Sequence, residues 1–214
     1  MEIPVPREQY QVSIEQRRNA TKYLREGRDA VERHVNNLTE EQWNFKPSAQ
    51  EWSILGVLEH LVIFEAFTHQ VISSMKDTPL DGSDHDPGEI EQFLLRTVPD
   101  RSKKLQTPVP GHPTGRWKSA EAIEQFLLLR ARTQELLEES PYLRGRIVPN
   151  PLYSSPDWDG YSWIIAAALH TSRHILQIEE LKNDPGFPRD SGADARSSLE
   201  GSEGWVPMNG KQLP

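Results

Sequence analysis

The chain has 214 residues, six tryptophans and no cysteine, with 32 acidic against 24 basic side chains and a formal charge of −8. That length is enough for one domain with a sizeable core, and the aromatic content argues against disorder. The acidic balance disfavours nucleic-acid phosphates and anionic lipid surfaces as partners, and the missing cysteine excludes disulfides, thiolate-ligated zinc and a protein thiol nucleophile.

Met1–Pro6 has neither the basic start nor the apolar run of a signal peptide. No stretch reaches the ~20 apolar residues expected of a membrane span. A reducing compartment suits a cysteine-free chain, so the expectation is a soluble cytoplasmic protein.

In chain order, the first helical pattern runs from about Ser13 to Asn37. Ser13 and Gln16 have capping-box spacing, and Ala20, Tyr23, Leu24, Val31, Val35 and Leu38 form an apolar stripe that includes Gly27. The second runs from about Ser53 to Lys76, with Val57, His60, Leu61, Phe64, Phe67 and Val71 inward. The connection Asp77–Lys118 is rich in Pro, Gly and Asp, is expected to hold a short helix at Glu89–Thr97, and is long enough to cross a bundle. Its length suggests a pocket wall that sets substrate choice. The third helix spans about Ser119 to Glu139, with Ala122, Phe126, Leu129, Thr133 and Leu136 on one side. A loop from Gly145 to Asp159 carries Pro149, Pro151 and Pro156. The fourth helix opens near Asp159 or Ser162 and ends around Asn183, where Pro185 stops it. No segment alternates with period two, so strands should be few or absent. Four helices of about 20 residues predict an all-α four-helix bundle over residues 1–188. Residues 189–214 read as a polar Gly/Ser-rich tail whose Trp205-Val206-Pro207-Met208 could pin its end to a groove.

His170 and His174 lie four apart in the apolar run Ile164–His174. A turn every ~3.6 residues puts both imidazoles on one face. Two such rings can grip one divalent metal if a third ligand arrives from elsewhere, and His60, inward on the second helix, is the candidate. H-x-x-x-H alone is a weak signal; the bland reading is two helix histidines, one partly buried and hydrogen-bonded. Against it, buried imidazoles without a partner cost about 1–3 kcal/mol each, and one metal satisfies all three. Imidazole nitrogens suit Zn, Ni, Fe, Co or Cu and not Mg or Ca. Three protein ligands leave a position for water or substrate.

Other residues are weaker candidates. His34 borders the inner stripe of the first helix, His69 should turn away from His60, and His85 and His112 read as loop residues. Gln177 shares the face of His170 and His174. Arg173 is expected to pair with a carboxylate such as Glu59 or Glu179, and Glu59 reads as a supporting or surface residue. There is no H-E-x-x-H, no Gly-rich phosphate loop and no G-x-S-x-G elbow.

Two blocks resemble the DinB-like superfamily of metal-binding four-helix bundles. Glu51-Trp52-Ser53-Ile54-Leu55-Gly56-Val57-Leu58-Glu59-His60-Leu61 is close to its W-S-I-x-x-V-L-x-H-L, and His170-Thr171-Ser172-Arg173-His174-Ile175-Leu176-Gln177-Ile178 to its H-x-x-x-H-x-x-Q-I. Gly160-Tyr161-Ser162-Trp163 and Asp184-Pro185-Gly186-Phe187-Pro188 are similar too, so the resemblance covers about Gln16 to Pro188. It implies an up-down-down-up bundle with a long crossover loop, a nickel or zinc ion (iron also fits) on His60, His170 and His174, and a homodimer. It also implies a low-molecular-weight thiol as cofactor or substrate, held as thiolate for transfer to a small electrophile. Where many relatives carry His-Pro before the fourth helix, this chain has Asn150-Pro151. Three readings stay open: a metal-dependent thiol transferase or hydrolase, a scaffold with a structural or vestigial metal site, and a metal-free helical dimer.

Overall fold

A computed structural model of the chain describes residues 10–78, 87–102, 107, 109–140, 142–148 and 157–189. It is built from helices: α1 (Ile14–Val35), α2 (Glu40–Asn44), α3 (Ile54–Ser74), α4 (Pro87–Thr97), α5 (Ser119–Glu139) and α6 (Gly160–Asn183), with two-residue strands β1 (Ile147–Val148) and β2 (Trp158–Asp159) pairing antiparallel. The all-α expectation therefore holds, with four long helices where four were expected. The tail beyond Arg189, including Trp205–Met208, and His85 and Asn150-Pro151 lie outside the described residues.

α1, α2, α3 and α6 each start where a side chain satisfies free N–H groups of the first turn. Ser13 Oγ accepts from Gln16 N at 3.2 Å while Gln16 Oε1 accepts from Ser13 N at 3.0 Å. Thr39 and Gln42 repeat the device for α2, Ser53 caps α3 through Gly56 N, and Asp159 caps α6 through Ser162 N at 2.7 Å. α1 ends at Val35, and Asn37 turns the chain out at φ 58°. The connecting-loop helix begins at Pro87, two residues before the expected start, with proline in the first-turn position it favours.

The long helices form a ring in which α1 packs on α6 and α5, and α3 on α5 and α6. α1 and α6 run the same way. The Tyr161 hydroxyl donates to the Gln16 carbonyl, Gly27 faces Thr171, and Lys182 Nζ donates to the His34 carbonyl. α3 runs opposite to α6, with His60 against His174, Phe64 against His170 and Phe67 against Trp163. α5 follows α3, with Arg130 on Glu65 and Thr133 on His69.

The core falls into two apolar clusters. One gathers Leu24, Ile72, Leu137, Trp163 and Ile165; the other gathers Val31, Ile54, Leu58, Phe126 and Ile178. Between them lies a belt of buried polar side chains: His60, Glu65, Thr68, Arg130, Thr133, His170, Thr171 and His174. α1 crosses this belt at Gly27, where an added Cβ would stand 3.3 Å from Thr171 Cγ2, so a small residue permits the close approach. Among the described residues α3 alone is long and apolar enough to cross a membrane by length and composition. This corrects the expectation that no such stretch exists. Half of its most apolar window (50%) is buried in the protein, and it carries Glu59, His60 and Glu65 inward, as a core helix does.

Candidate metal centre

α3 presents His60 near its start and α6 presents His170 and His174 one turn apart, and the opposed run of the two helices brings all three together. His60 Nε2 and His174 Nε2 each stand 3.1 Å from His170 Nε2. Their exposures are 4%, 8% and 6% for His60, His170 and His174. Nitrogens on one tetrahedral ion at 2.0–2.1 Å would be about 3.3 Å apart, so the two edges that meet at His170 are close to the length such an ion requires, and all three ligand atoms lie within 4.8 Å of one another. Among the described residues these three are the group of His, Asp and Glu side chains placed to hold a metal.

Hydrogen bonds fix which nitrogens carry protons. His60 Nδ1 is 2.6 Å from the Gly111 carbonyl oxygen, which can only accept, so Nδ1 carries the hydrogen and Nε2 presents a lone pair. His174 Nδ1 is 2.8 Å from Gln177 Oε1. Arg101 Nη1 lies 3.4 Å from the same oxygen, and since arginine only donates, that atom is the amide oxygen. His174 Nε2 is therefore a lone pair as well. Two lone pairs point at His170 Nε2, whose own Nδ1 is buried without a protein partner. One proton on His170 Nε2 could serve only one of them well. A cation accepts all three, and borderline imidazole donors fit an ion of the zinc or nickel class.

The surroundings keep the rings neutral. Burial pushes the His60 pKa down to about 4, against a smaller upward pull from the Gly111 bond. Burial likewise holds His170 and His174 well below the usual histidine value, helped by their neighbouring imidazoles and by the Arg173 cation. A neutral imidazole is the form that ligates. Phe64 stacks on His170 with centroids 4.1 Å apart, and Trp52 lies over His60 and His174 at 4.9 and 6.4 Å. The three histidines line a cleft of about 1590 Å³, whose walls include Trp52, Phe64, Phe67, Trp117, Arg101 and Arg116. The Asp77–Lys118 connection supplies part of that wall through Arg101, Thr107, Pro110, Gly111, His112, Arg116 and Trp117.

The structure adds detail to the other candidates. Arg173 donates to the Asp100 carbonyl, Glu59 accepts from the Thr114 backbone and Glu179 faces His34. Glu59 is 1% exposed, far from a surface residue. It accepts from Thr114 N at 2.9 Å, Thr114 Oγ1 at 2.6 Å, Gly115 N at 2.9 Å and Arg116 N at 3.2 Å. Burial works to raise its pKa, and these donors outweigh it and lower it. His34 faces α6, with Nε2 3.3 Å from Glu179. His69 turns away from His60, as expected, and meets Thr133 Oγ1 at 2.9 Å. His112 is exposed but stands on the cleft wall, 6.1 Å from the Trp52 ring, which its loop position did not suggest.

Sequence reasoning also passed over a buried charged chain beside the site. The His69 N–H donates to Thr133 and Thr133 to Glu65 Oε2, while Arg130 Nη2 forms an ion pair with Glu65 Oε1 at 2.6 Å and donates to Thr171 Oγ1 at 2.5 Å. A signal existed: Arg130 continues the inward series Ala122, Phe126, Thr133, Leu137 on α5.

The sequence profile of the DinB superfamily matches residues 23–178, a span that holds all three histidines. The chain belongs to the DinB superfamily. A curated relative, an uncharacterized protein YuaE of Bacillus subtilis (strain 168), is 29% identical over 154 residues, 69% of this chain and 88% of that protein. No solved structure matches the chain. Family and geometry agree on a possible metal-binding protein with a three-histidine cluster.

Proposed function

We propose that this DinB-superfamily protein holds a divalent transition ion, of nickel or zinc class with iron a further fit, on His60, His170 and His174. It then brings a low-molecular-weight thiol, or water, to a small electrophile in the cleft. The observation that carries the reading is the convergence of three Nε2 atoms, two with lone pairs imposed by their own hydrogen bonds, on the wall of an open cleft. A divalent ion there supplies Lewis acidity, lowering the pKa of a thiol or water that reaches it.

The chain's own residues do the rest. Gly111 and Gln177 hold two rings in their ligating tautomers. Phe64 and Trp52 cover the ligand side from water, and the open side faces the cleft. The chain has no cysteine, so a sulfur nucleophile has to come from outside, in keeping with the thiol chemistry the family resemblance implies. Within reach of the three nitrogens no carboxylate of the described residues completes the set.

Elemental analysis of tag-free protein tests the site. About one equivalent of metal is expected in the parent and none in His60→Ala/His170→Ala. Absence of metal in the parent after reconstitution overturns the proposal. Cobalt-substituted protein titrated with small thiols tests the chemistry: a new sulfur-to-metal absorption band is expected, and a spectrum blind to every thiol and to substrate leaves a structural metal site.

A further inference from the structure

We infer that Glu59 is a positioning residue for the three-histidine centre: its carboxylate grips the Thr114–Arg116 backbone and so holds the Gly111 carbonyl where it dictates the tautomer of His60. The inference rests on the metal-site reading above and adds a residue to it.

The geometry is a relay of two short links. In the first, Glu59 takes three consecutive backbone N–H groups, those of Thr114, Gly115 and Arg116, at 2.9, 2.9 and 3.2 Å, and the Thr114 hydroxyl at 2.6 Å. Four donors on one carboxylate make a strong, directional clamp, since hydrogen bonds to an ionised acceptor are about twice as strong as neutral ones. Nothing else explains a carboxylate 1% exposed in an apolar helix face. In the second link, three residues upstream of Thr114, the Gly111 oxygen meets His60 Nδ1 at 2.6 Å.

Gly111 is pressed close. A Cβ there would stand 2.7 Å from Thr107 Cγ2 and 3.5 Å from His60 Cε1, so the segment has little room to find another route to the ring. Glu59 and His60 are neighbours on one rigid helix. The carboxylate and the imidazole therefore hold the same loop from adjacent points, and the loop cannot shift relative to one without straining its bond to the other. Gly115, at φ +71° with open space around it, gives the tight turn that lets the backbone N–H groups face the carboxylate. The same segment supplies His112, Arg116 and Trp117 to the cleft wall, so the clamp sets that wall as well.

Glu59→Gln keeps the shape but turns an NH2 toward N–H donors, and Thr114→Val removes a single donor. In full-length protein with Zn²⁺ as the only added ligand, Glu59→Gln is expected to weaken binding about 10–100-fold in chelator competition, and Thr114→Val less. In metal-free protein, ¹⁵N spectra of the imidazoles should show His60 as the Nδ1–H tautomer in the parent and as a mixture in Glu59→Gln. A purely structural Glu59 would lower the melting temperature and leave both tautomer and relative Zn²⁺ affinity unchanged; that result overturns the inference. The tautomer measurement needs no metal, so a parent that binds none sinks the metal-site reading while the role of Glu59 is still decided. Should Glu59→Gln fail to fold, an unchanged tautomer in Thr114→Val overturns the inference and a mixed one supports it.

Discussion

The polar belt that splits the core has two halves, and they solve burial in opposite ways. On the α5 side, Glu65, Arg130, Thr133, His69 and Thr171 form a chain in which donors meet acceptors and a cation meets an anion. On the cleft side, three neutral imidazoles turn nitrogens toward one point, and at least two of those nitrogens can only accept. The first half is closed in charge, Arg130 against Glu65, although Arg130 Nε and Nη1 have no hydrogen-bond partner. The second is an arrangement of acceptors lacking a common donor, set where a cleft lets one in. Both sit on α3 and α6 within a few residues of each other, so burial alone does not separate a structural cluster from a site. What separates them is that one half sets a cation against an anion and the other gathers lone pairs at one point.

Breaking the closed half should have the largest effect. Glu65→Leu strands the Arg130 guanidinium, 2% exposed, and is expected to cost about 3–5 kcal/mol. Glu65→Leu/Arg130→Met should recover much of that loss, because the pair is then replaced by apolar groups of similar size. Urea unfolding of metal-free protein measures both. A cost below 1 kcal/mol for the single change would mean that the charge is relieved by some other route.

Acid should attack the cleft half. The His60 pKa is about 4 in the folded protein against 6.5 for an ordinary histidine. Between those values the unfolded chain binds a proton that the folded one refuses, so stability is full above pH 6.5 and falls as the pH drops toward 4. His60 alone contributes roughly 3 kcal/mol of that fall, and His170 and His174 shift in the same direction. Unfolding of chelator-treated protein between pH 7 and 4 should show the slope, and His60→Phe should flatten it. A flat profile in the parent would mean that the cluster already holds a proton when folded.

The smallest change sharpens the contrast. Gln177→Leu removes the acceptor that fixes His174 while leaving all three ligands. Metal affinity should drop about 10-fold, with little change in metal-free stability. An equal loss of both would place Gln177 with the closed network instead.

Much of this was legible in the chain. Apolar periodicity located the four long helices, and the four-residue spacing of His170 and His174 fixed their common face, because both are local properties of one helix. The meeting of His60 with that pair is a tertiary fact, which a resemblance could suggest and only packing could display. The sequence could not choose between a supporting and a surface Glu59, because its neighbours in sequence are helical whereas its partners are loop N–H groups 55 to 57 residues away. α2 was overlooked although Thr39 and Gln42 have the same spacing as Ser13 and Gln16; five residues are too few for a period to emerge. Gly111 gave no signal, since its contribution is a backbone carbonyl. Arg130 was readable as a charge on an inward stripe, but its meaning depended on Glu65 across the bundle.

The pairing of the first helix with the last has a consequence for how the molecule comes into being. During synthesis the stripe of Ala20, Leu24, Val31 and Val35 leaves the ribosome long before α6, the helix it lies along through Gly27 and Thr171. His60 waits in turn for His170, 110 residues downstream. The nascent chain therefore holds its earliest apolar surface without its main partner until almost all of it has been made. A chain released before Asn183 should be a substrate for chaperones and proteases rather than a smaller working protein.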